Sequence, residues 1–268
     1  MQNLPGWHQV EWLSTTGSTN ADMLLKMRGA LADWRGPLLR GAEVQAAGRG
    51  RAGRPWRTNP GDALLFSCGL RTNLPQAALP PLSIVAGVAA CEALNRLLPS
   101  GATQRVSVKW PNDLQWGDAK LAGILPETVT LPASQRAQPD QVGLVIGIGV
   151  NVRGAAALST HLGRAVADWS TIGGDSDTAQ LVAAIAQAWQ QAIEVYAAEG
   201  FGAFMQRFAA CDALGGQTVR VLDNGQVLYE GIAQGVDATG RLQVSTEQGL
   251  RTVTVGDVSV RSTAGGTP

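Results

Sequence analysis

The chain is poor in the residues that most often announce chemistry. It has three cysteines and two histidines in 268 residues, lysine is scarce, and the formal net charge is zero. Cys68, Cys91 and Cys211 form no C-x-x-C pair and no metal-ligand spacing. They offer no basis for a redox dithiol, a zinc cluster or a disulfide framework, and read as reduced core thiols of a cytoplasmic protein. His8 and His161 stand far apart, in keeping with structural or exposed positions rather than ligation. The absent basic surplus argues against a general nucleic-acid binder. No charged-then-apolar leader opens the chain, and no apolar run reaches the roughly 18 residues of a membrane span. A soluble intracellular chain is expected, long enough for one large domain and a small one.

Glycine, by contrast, is plentiful, at 33 positions. Its most telling use is Gly48-Arg49-Gly50-Arg51-Ala52-Gly53-Arg54-Pro55-Trp56, where three arginines alternate with three glycines before an aromatic residue. Glycine lets backbone amides approach a ligand closely, and arginine offers a planar fork of donors matched to phosphate or carboxylate. Gly48, Gly50 and Gly53 also satisfy the G-x-G-x-x-G spacing of a dinucleotide fold. That fold needs a helix to open there, and Pro55, Asn59, Pro60 and Gly61 forbid one. The stretch is therefore either an anion-holding loop with a stacking residue, Trp56, or a basic surface loop.

Periodicity gives the surrounding elements. Gln9 to Leu13 and Pro37 to Val44 read as strands, separated by a helix capped by Ser18 or Thr19 and running toward Trp34. Ala63 to Cys68 is a strand and Leu79 to Leu98 a helix opened by Pro80 and Pro81. Val106 to Trp110 is a strand ending in the turn Pro111-Asn112-Asp113. A hairpin through Gly117-Asp118 returns in Lys120 to Leu125. Pro132 to Asp140 is a loop. Val142 to Val152 is a nearly continuous apolar strand, hence central and covered on both faces. Thr178 to Ala198 is an amphipathic helix, broken by Gly200 and followed by a shorter one to about Cys211. After Leu214-Gly215-Gly216 come short strands at Thr218–Leu222, Val227–Ala233, Leu242–Ser245 and Arg251–Val255. Asp223-Asn224-Gly225 is a hairpin turn among them. This tail is a small β module.

These segments, in order, resemble the biotin protein ligases. The resemblance rests on Ser18-Thr19-Asn20, the Arg/Gly loop, Lys109-Trp110-Pro111-Asn112-Asp113-Leu114, Lys120-Leu121-Ala122-Gly123-Ile124-Leu125 with Glu127 behind, and Gly147-Ile148-Gly149-Val150-Asn151-Val152. It runs from about residue 11 to residue 262 and closes on Gly256 to Ser262. It implies an α/β (α+β) catalytic domain over residues 1–213, a mixed sheet flanked by helices of the class II synthetase-like biotinyl/lipoyl ligase fold. An SH3-like barrel over 214–268 follows. It also implies ATP and biotin as substrates, Mg²⁺ as cofactor, and biotinyl-AMP as the intermediate. The implied partner is the biotin carboxyl carrier protein of acetyl-CoA carboxylase. With only about ten residues before the first strand, a form without a DNA-binding domain is expected, as a monomer or homodimer.

Residue by residue, the resemblance assigns Ser18, Thr19, Asn20 and Gln45 to the biotin head. Hydroxyls and amides supply the donors and acceptors that a ureido ring needs, while Ser18 and Thr19 are equally suited to helix capping. Arg49, Gly50 and Arg51 match the biotin- and phosphate-contacting loop. Arg54 matches a phosphate contact and Trp56 an adenine-packing residue. Ala52 stands where the family often has a second basic residue. Lys120 matches the lysine that touches both biotin carboxylate and α-phosphate, and with Arg51 and Arg54 forms the expected catalytic set. Asn112 and Asn151 are matched to the nucleotide and Asp113 to Mg²⁺, with turn chemistry as the other reading of Asn112 and Asp113. Trp110 reads as core packing, and Arg261 as a contributor from the barrel. The competing activity is lipoate or octanoate transfer; octanoyl transfer uses a cysteine nucleophile, which Cys68 and Cys91, in apolar elements without a paired histidine, support poorly.

Overall fold

The structure is a computed structural model that describes residues 4–29, 36–56, 58–138, 141–173, 177–223, 225–254 and 258–262. The larger domain runs β1 (Gln9–Thr16), α1 (Thr19–Arg28), β2 (Leu38–Gln45), β3 (Ala63–Thr72), α2 (Leu82–Leu97), β4 (Val106–Lys109), β5 (Asp113–Trp116), β6 (Ala119–Thr130) and β7 (Val142–Asn151). It continues with α3 (Ala155–Leu162), α4 (Trp169–Ile172), α5 (Thr178–Glu199) and α6 (Gly202–Ala209). Seven strands form one sheet in the order β1-β2-β3-β7-β6-β5-β4. β1 and β2 pair in parallel and the other ladders are antiparallel, so the sheet is mixed.

Strand β7 holds the centre because both its faces are covered. Side chains alternate across a strand. Leu144, Ile146, Ile148 and Val150 enter the main core, which α2 and α5 roof. The odd positions Gly143, Val145, Gly147 and Gly149 face α1, whose Met23 and Met27 pack with Val145 in a smaller cluster. The α2–α5 layer is oily throughout: Trp189 is fully buried, lies 5.7 Å from the Phe66 ring, and gives its indole N–H to Ala86 O at 2.9 Å.

Helix α2 starts at Leu82 rather than Leu79. Pro81 occupies its N-cap and Leu79 closes the preceding turn through Leu82 N at 3.1 Å. Helix α5 opens on a capping box between Asp177 and Gln180 and ends at Gly200, as the composition predicted. Helices α3 and α4 have no counterpart in the sequence reading. α3 carries no buried residue, so it lacks the apolar stripe that reveals a helix. The loop at 132–138 holds a single 3₁₀ turn, Ala133–Gln135. Trp34, Asp140, Asn224, Gly256 and Asp257 lie outside the described residues.

The C-terminal module comprises β8 (Thr218–Asp223), β9 (Gln226–Val236), β10 (Leu242–Thr246), β11 (Gly249–Val253) and β12 (Val258–Ser262). They form an antiparallel sheet in the order β11-β10-β9-β8-β12. No ladder joins β11 to β12 among the described residues, so the sheet is an open counterpart of the expected barrel. Val219, Val221, Ala233, Leu242 and Val244 belong to the same core as α2 and β7. The indole of Trp110, 2% exposed, donates to Gly240 O at 3.0 Å and stitches the two parts together. Among the described residues, no helix is long and apolar enough to cross a membrane.

Candidate active site

The face of the sheet beneath α1 is built in cross-strand rows. Leu65 on β3 pairs with Gly149 on β7, which pairs with Gly123 on β6. The next row is Ser67, Gly147 and Leu125; the third is Gly69, Val145 and Glu127. The glycines are there because something lies directly on them. A Cβ on Gly149 would sit 2.6 Å from the Trp56 indole, and one on Gly147 would sit 2.0 Å from Asn20 Oδ1. The result is a flat floor with the Arg/Gly loop and the start of α1 as its walls.

One end of the cleft is a buried polar network. Ser18 caps α1, its Oγ accepting from Ala21 N at 3.4 Å. Capping and cleft lining therefore coexist in one residue. Gln45, at the end of β2, accepts through Oε1 from Thr19 N at 2.6 Å and lies 3.1 Å from Thr19 Oγ1. Asn20 Nδ2 donates to Leu125 O at 3.0 Å and to Glu127 Oε2 at 2.7 Å. Ser67, fully buried, places Oγ 2.7 Å from Thr19 Oγ1 and 2.6 Å from Asn20 Oδ1. Ser67 was hidden in the sequence because it sits inside an apolar strand; its polarity there was the only signal.

The Arg/Gly loop is a small hairpin. Trp56 N donates to Gly48 O at 2.9 Å, Gly50 N to Arg54 O at 2.8 Å, and Arg49 bridges Pro55. Its tip is a 3₁₀ turn over Arg51–Gly53, with Ala52 and Gly53 both left-handed at φ 53° and 68°. Arg49 and Arg54 are exposed on the rim, while Arg51 Nη1 reaches Asn112 Oδ1 at 3.4 Å. The Trp56 ring lies over the glycine floor, where a Cβ on Gly149 or Gly123 would meet it at 2.6 or 3.0 Å.

Lys120 stands at the other end. Gln115 pairs with Lys120 and Leu114 with Ala122, so Leu121 is an extra residue, a β-bulge. Strict alternation would put Lys120 and Gly123 on opposite faces; the bulge brings them to the same one. Lys120 Nζ then meets Asp113 Oδ1 at 2.6 Å and lies 5.4 Å from the Trp56 ring centre. Both side chains keep some exposure, 16% and 26%. The lysine's backbone is clamped as well: its N–H donates to Ala165 O at 3.1 Å, and its carbonyl accepts from Ala167 N at 3.0 Å.

Asp168, one residue further, secures that clamp. It accepts from Ala155 N at 2.8 Å, Ser170 Oγ at 2.7 Å and Thr171 N at 3.1 Å, tying α3 to α4. Burial alone would push this carboxyl up, but those hydrogen bonds outweigh it and hold it below the usual carboxylate range.

These groups enclose a cleft of about 180 Å³. Ser18, Thr19, Asn20, Gln45, Arg49, Gly50, Arg51, Arg54, Trp56, Asn112, Asp113 and Lys120 all line it. Asn151 does not. It is buried at 4% exposure, its amide lying 3.2 Å from Lys120 O and 3.3 Å from Ala167 O. Arg164 lines the cleft without having been anticipated; it comes from the irregular segment between α3 and α4, where no motif marks it. Five basic side chains face one carboxylate across the cleft, so its field favours a polyanion. Among the described residues no cluster of three metal-ligating side chains occurs. Hydrogen bonding with Cys211 and burial push the Cys91 thiol up, and burial pushes up Cys68, so neither is a ready thiolate.

Comparison with known proteins agrees with this geometry. Residues 12–151 match the biotin/lipoate A/B protein ligase family, and residues 214–261 match the biotin protein ligase C terminal domain. The biotin–[acetyl-CoA-carboxylase] ligase of Mycobacterium tuberculosis is 35% identical over 262 residues, covering 94% of this chain and 89% of that one. The bifunctional ligase/repressor BirA of Escherichia coli is 31% identical over 221 residues, 82% of this chain; the match spans only 65% of that protein's length. Among solved structures, the biotin protein ligase of Aquifex aeolicus in complex with biotin and ATP superimposes with a TM-score of 0.72 at 25% identity. That match covers 95% of this chain and 99% of the other. The chain belongs to the biotin protein ligases of the biotin/lipoate A/B protein ligase family.

Proposed function

We propose that the protein activates biotin with ATP to biotinyl-5′-AMP and transfers the biotin to a lysine of the biotin carboxyl carrier protein of acetyl-CoA carboxylase. The observation that carries this reading is the placement of Lys120. Its ammonium stands at the end of the cleft opposite the buried hydrogen-bonding pocket, beside Asp113 and the Trp56 ring of the arginine hairpin.

The chemistry follows from that arrangement. Ser18, Thr19, Asn20 and Gln45 hold the ureido head, whose N–H and C=O groups need both kinds of partner. The valeryl chain runs over the glycine floor toward Lys120. The carboxylate there attacks the α-phosphorus and pyrophosphate departs. Charge gathers on the phosphate oxygens in the transition state, where Lys120, Arg51 and Arg54 lower its energy. Arg49 and Gly50 close the loop on the ligand, Trp56 packs on the adenine, and Asn112 acts on the nucleotide side, while Asn151, outside the cleft, holds the backbone of Lys120. The hairpin also shields the mixed anhydride from water. In the second step the carrier lysine attacks the acyl carbon and AMP leaves.

Asp113 is suited to Mg²⁺, because this ion takes one or two carboxylates and completes its shell with phosphate oxygens and water. When bound it would neutralise phosphate charge. Transfer of lipoate or octanoate fits the site less well: an apolar acyl head would bring no partner for the spare lone pairs of this polar lining, a mismatch that separates substrates.

The test is biotin transfer to a purified carrier domain by wild type and Lys120→Ala. Wild type should label the carrier, and the variant should lose roughly 10²–10³ in rate, the usual cost of removing one charge-stabilising donor. Labelling with lipoate or octanoate but not biotin would overturn the substrate. An undiminished Lys120→Ala would overturn the role of that residue.

A further inference from the structure

Glu127 lies one row beyond the cleft and meets it through Asn20. Its carboxylate is half-buried, and among the described residues no lysine or arginine pairs with it. A carboxylate in such a place is costly unless a strong donor meets it. The donor is Asn20 Nδ2, at 2.7 Å.

That bond fixes more than one side chain. Asn20 Nδ2 spends its two hydrogens on Leu125 O and Glu127, so Oδ1 must point the other way, at Ser67 Oγ. A flipped amide would set Oδ1 against a carbonyl and a carboxylate, both acceptors. Ser67 has one hydrogen and two neighbours, Asn20 Oδ1 at 2.6 Å and Thr19 Oγ1 at 2.7 Å. With Asn20 fixed as an acceptor, that hydrogen goes to Asn20. Thr19 Oγ1 gives its own hydrogen to Gln45 Oε1 at 3.1 Å, which also accepts the Thr19 N–H at 2.6 Å. The free lone pair of Thr19 Oγ1 is left as an acceptor in the cleft.

We infer that Glu127 is a specificity-determining positioning residue. Through Asn20 and Ser67 it sets Thr19 as a hydrogen-bond acceptor, which selects a head group with N–H donors, a cyclic urea, over an apolar acyl head. This rests on the biotin reading above.

The experiment is biotin-dependent exchange of pyrophosphate into ATP, with wild type, Glu127→Leu and Glu127→Gln. Leucine removes the acceptor; glutamine keeps one. Glu127→Leu should raise KM for biotin about 10–100-fold, the usual span for losing a charge-assisted hydrogen bond, and leave KM for ATP within about twofold. Glu127→Gln should stay within about fivefold of wild type on both, since a neutral bond replaces a charged one. The preference for biotin over lipoate should fall in Glu127→Leu by the same factor as KM rises. An unchanged biotin KM in Glu127→Leu overturns the inference. So does a parallel loss in both KM values and kcat with a lowered Tm, the mark of a merely structural residue. Wild type without biotin-dependent exchange would instead sink the ligase reading, and this inference with it.

Discussion

Gly147→Ala and Gly149→Ala add the same methyl group two residues apart on β7, and the structure separates their effects. On Gly147 the new Cβ would stand 2.0 Å from Asn20 Oδ1 and 2.8 Å from its Cγ. Asn20 cannot step aside, because three hydrogen bonds hold its amide. Overpacking typically costs about 1–3 kcal/mol, and breaking a buried polar contact adds about 1–3. Replacing glycine in an extended strand returns about 0.4–1 through the unfolded chain. The net loss is about 1–5.5 kcal/mol, or roughly 2–22 °C in Tm for a chain of this size. KM for biotin should rise with it.

On Gly149 the neighbours are Trp56 atoms at 2.6–2.9 Å. That ring ends an exposed hairpin and, among the described residues, its buried Nε1 has no hydrogen-bond partner, so it can lift off. Gly149→Ala should cost under about 1 kcal/mol, within the range of a loosely held site, while changing tryptophan emission and raising KM for ATP. Differential scanning fluorimetry and pyrophosphate exchange decide the matter. A Gly147→Ala protein that melts within about 2 °C of wild type and keeps its biotin KM would refute the idea that the floor is closed to side chains.

Asp168→Ala should destabilise the chain by about 2–4 kcal/mol, by removing the cap of α4 and leaving Ala155 N unpaired. Chemical denaturation measures this, and kcat should drop alongside, since the same segment clamps Lys120. Asp237 closes the β9–β10 turn. Burial tends to raise its pKa, but bonds from Thr239 and Arg241 outweigh that and bring it down to about 2 from the ordinary 3.8. A depressed carboxyl stabilises above its unfolded pKa and loses that contribution as pH falls through the folded one. Asp237→Asn should therefore melt below wild type at pH 7, and the gap should close between about pH 4 and pH 2. A gap of equal size at both ends would place the effect in shape rather than charge.

Much of the site was readable because polar residues interrupted patterns that ought to be apolar. Ser18-Thr19-Asn20 broke the approach to a helix, Lys120 entered an apolar strand, and Arg49, Arg51 and Arg54 had glycine between them. Strands such as β7 were plain from composition, and hairpins from their turns. What stayed hidden depends on pairing. Ser67 and Glu127 acquire meaning only when β3, β7 and β6 come into register. Gly123 and Gly149 look like weak strand residues until Trp56 lies across them. Asn151 is matched to the nucleotide by the resemblance, yet its amide turns to the backbone of Lys120. Helix α3 escaped because none of its side chains is buried, although Gly154 and Gly163, left-handed at either end, punctuate it.

The extra residue at Leu121 makes the site a matter of counting. A strand offers two sides, and a residue's side depends on whether an odd or even number of steps separates it from a fixed neighbour. Gly123 is anchored by its pairings with Asp113 and Gly149, so Lys120, three steps away, faces the cleft only because one of those steps is out of phase. Chemistry at position 121 is therefore replaceable, and the bulge that holds the extra residue out of the ladder is not. Another apolar side chain leaves the parity intact. Were the bulge taken up into a regular ladder, with Leu121 opposite Gln115, Lys120 would fall on the other face and its ammonium would turn toward the oily core, with no catalytic residue altered. What β6 must keep is the phase at that bulge, not any one side chain in it.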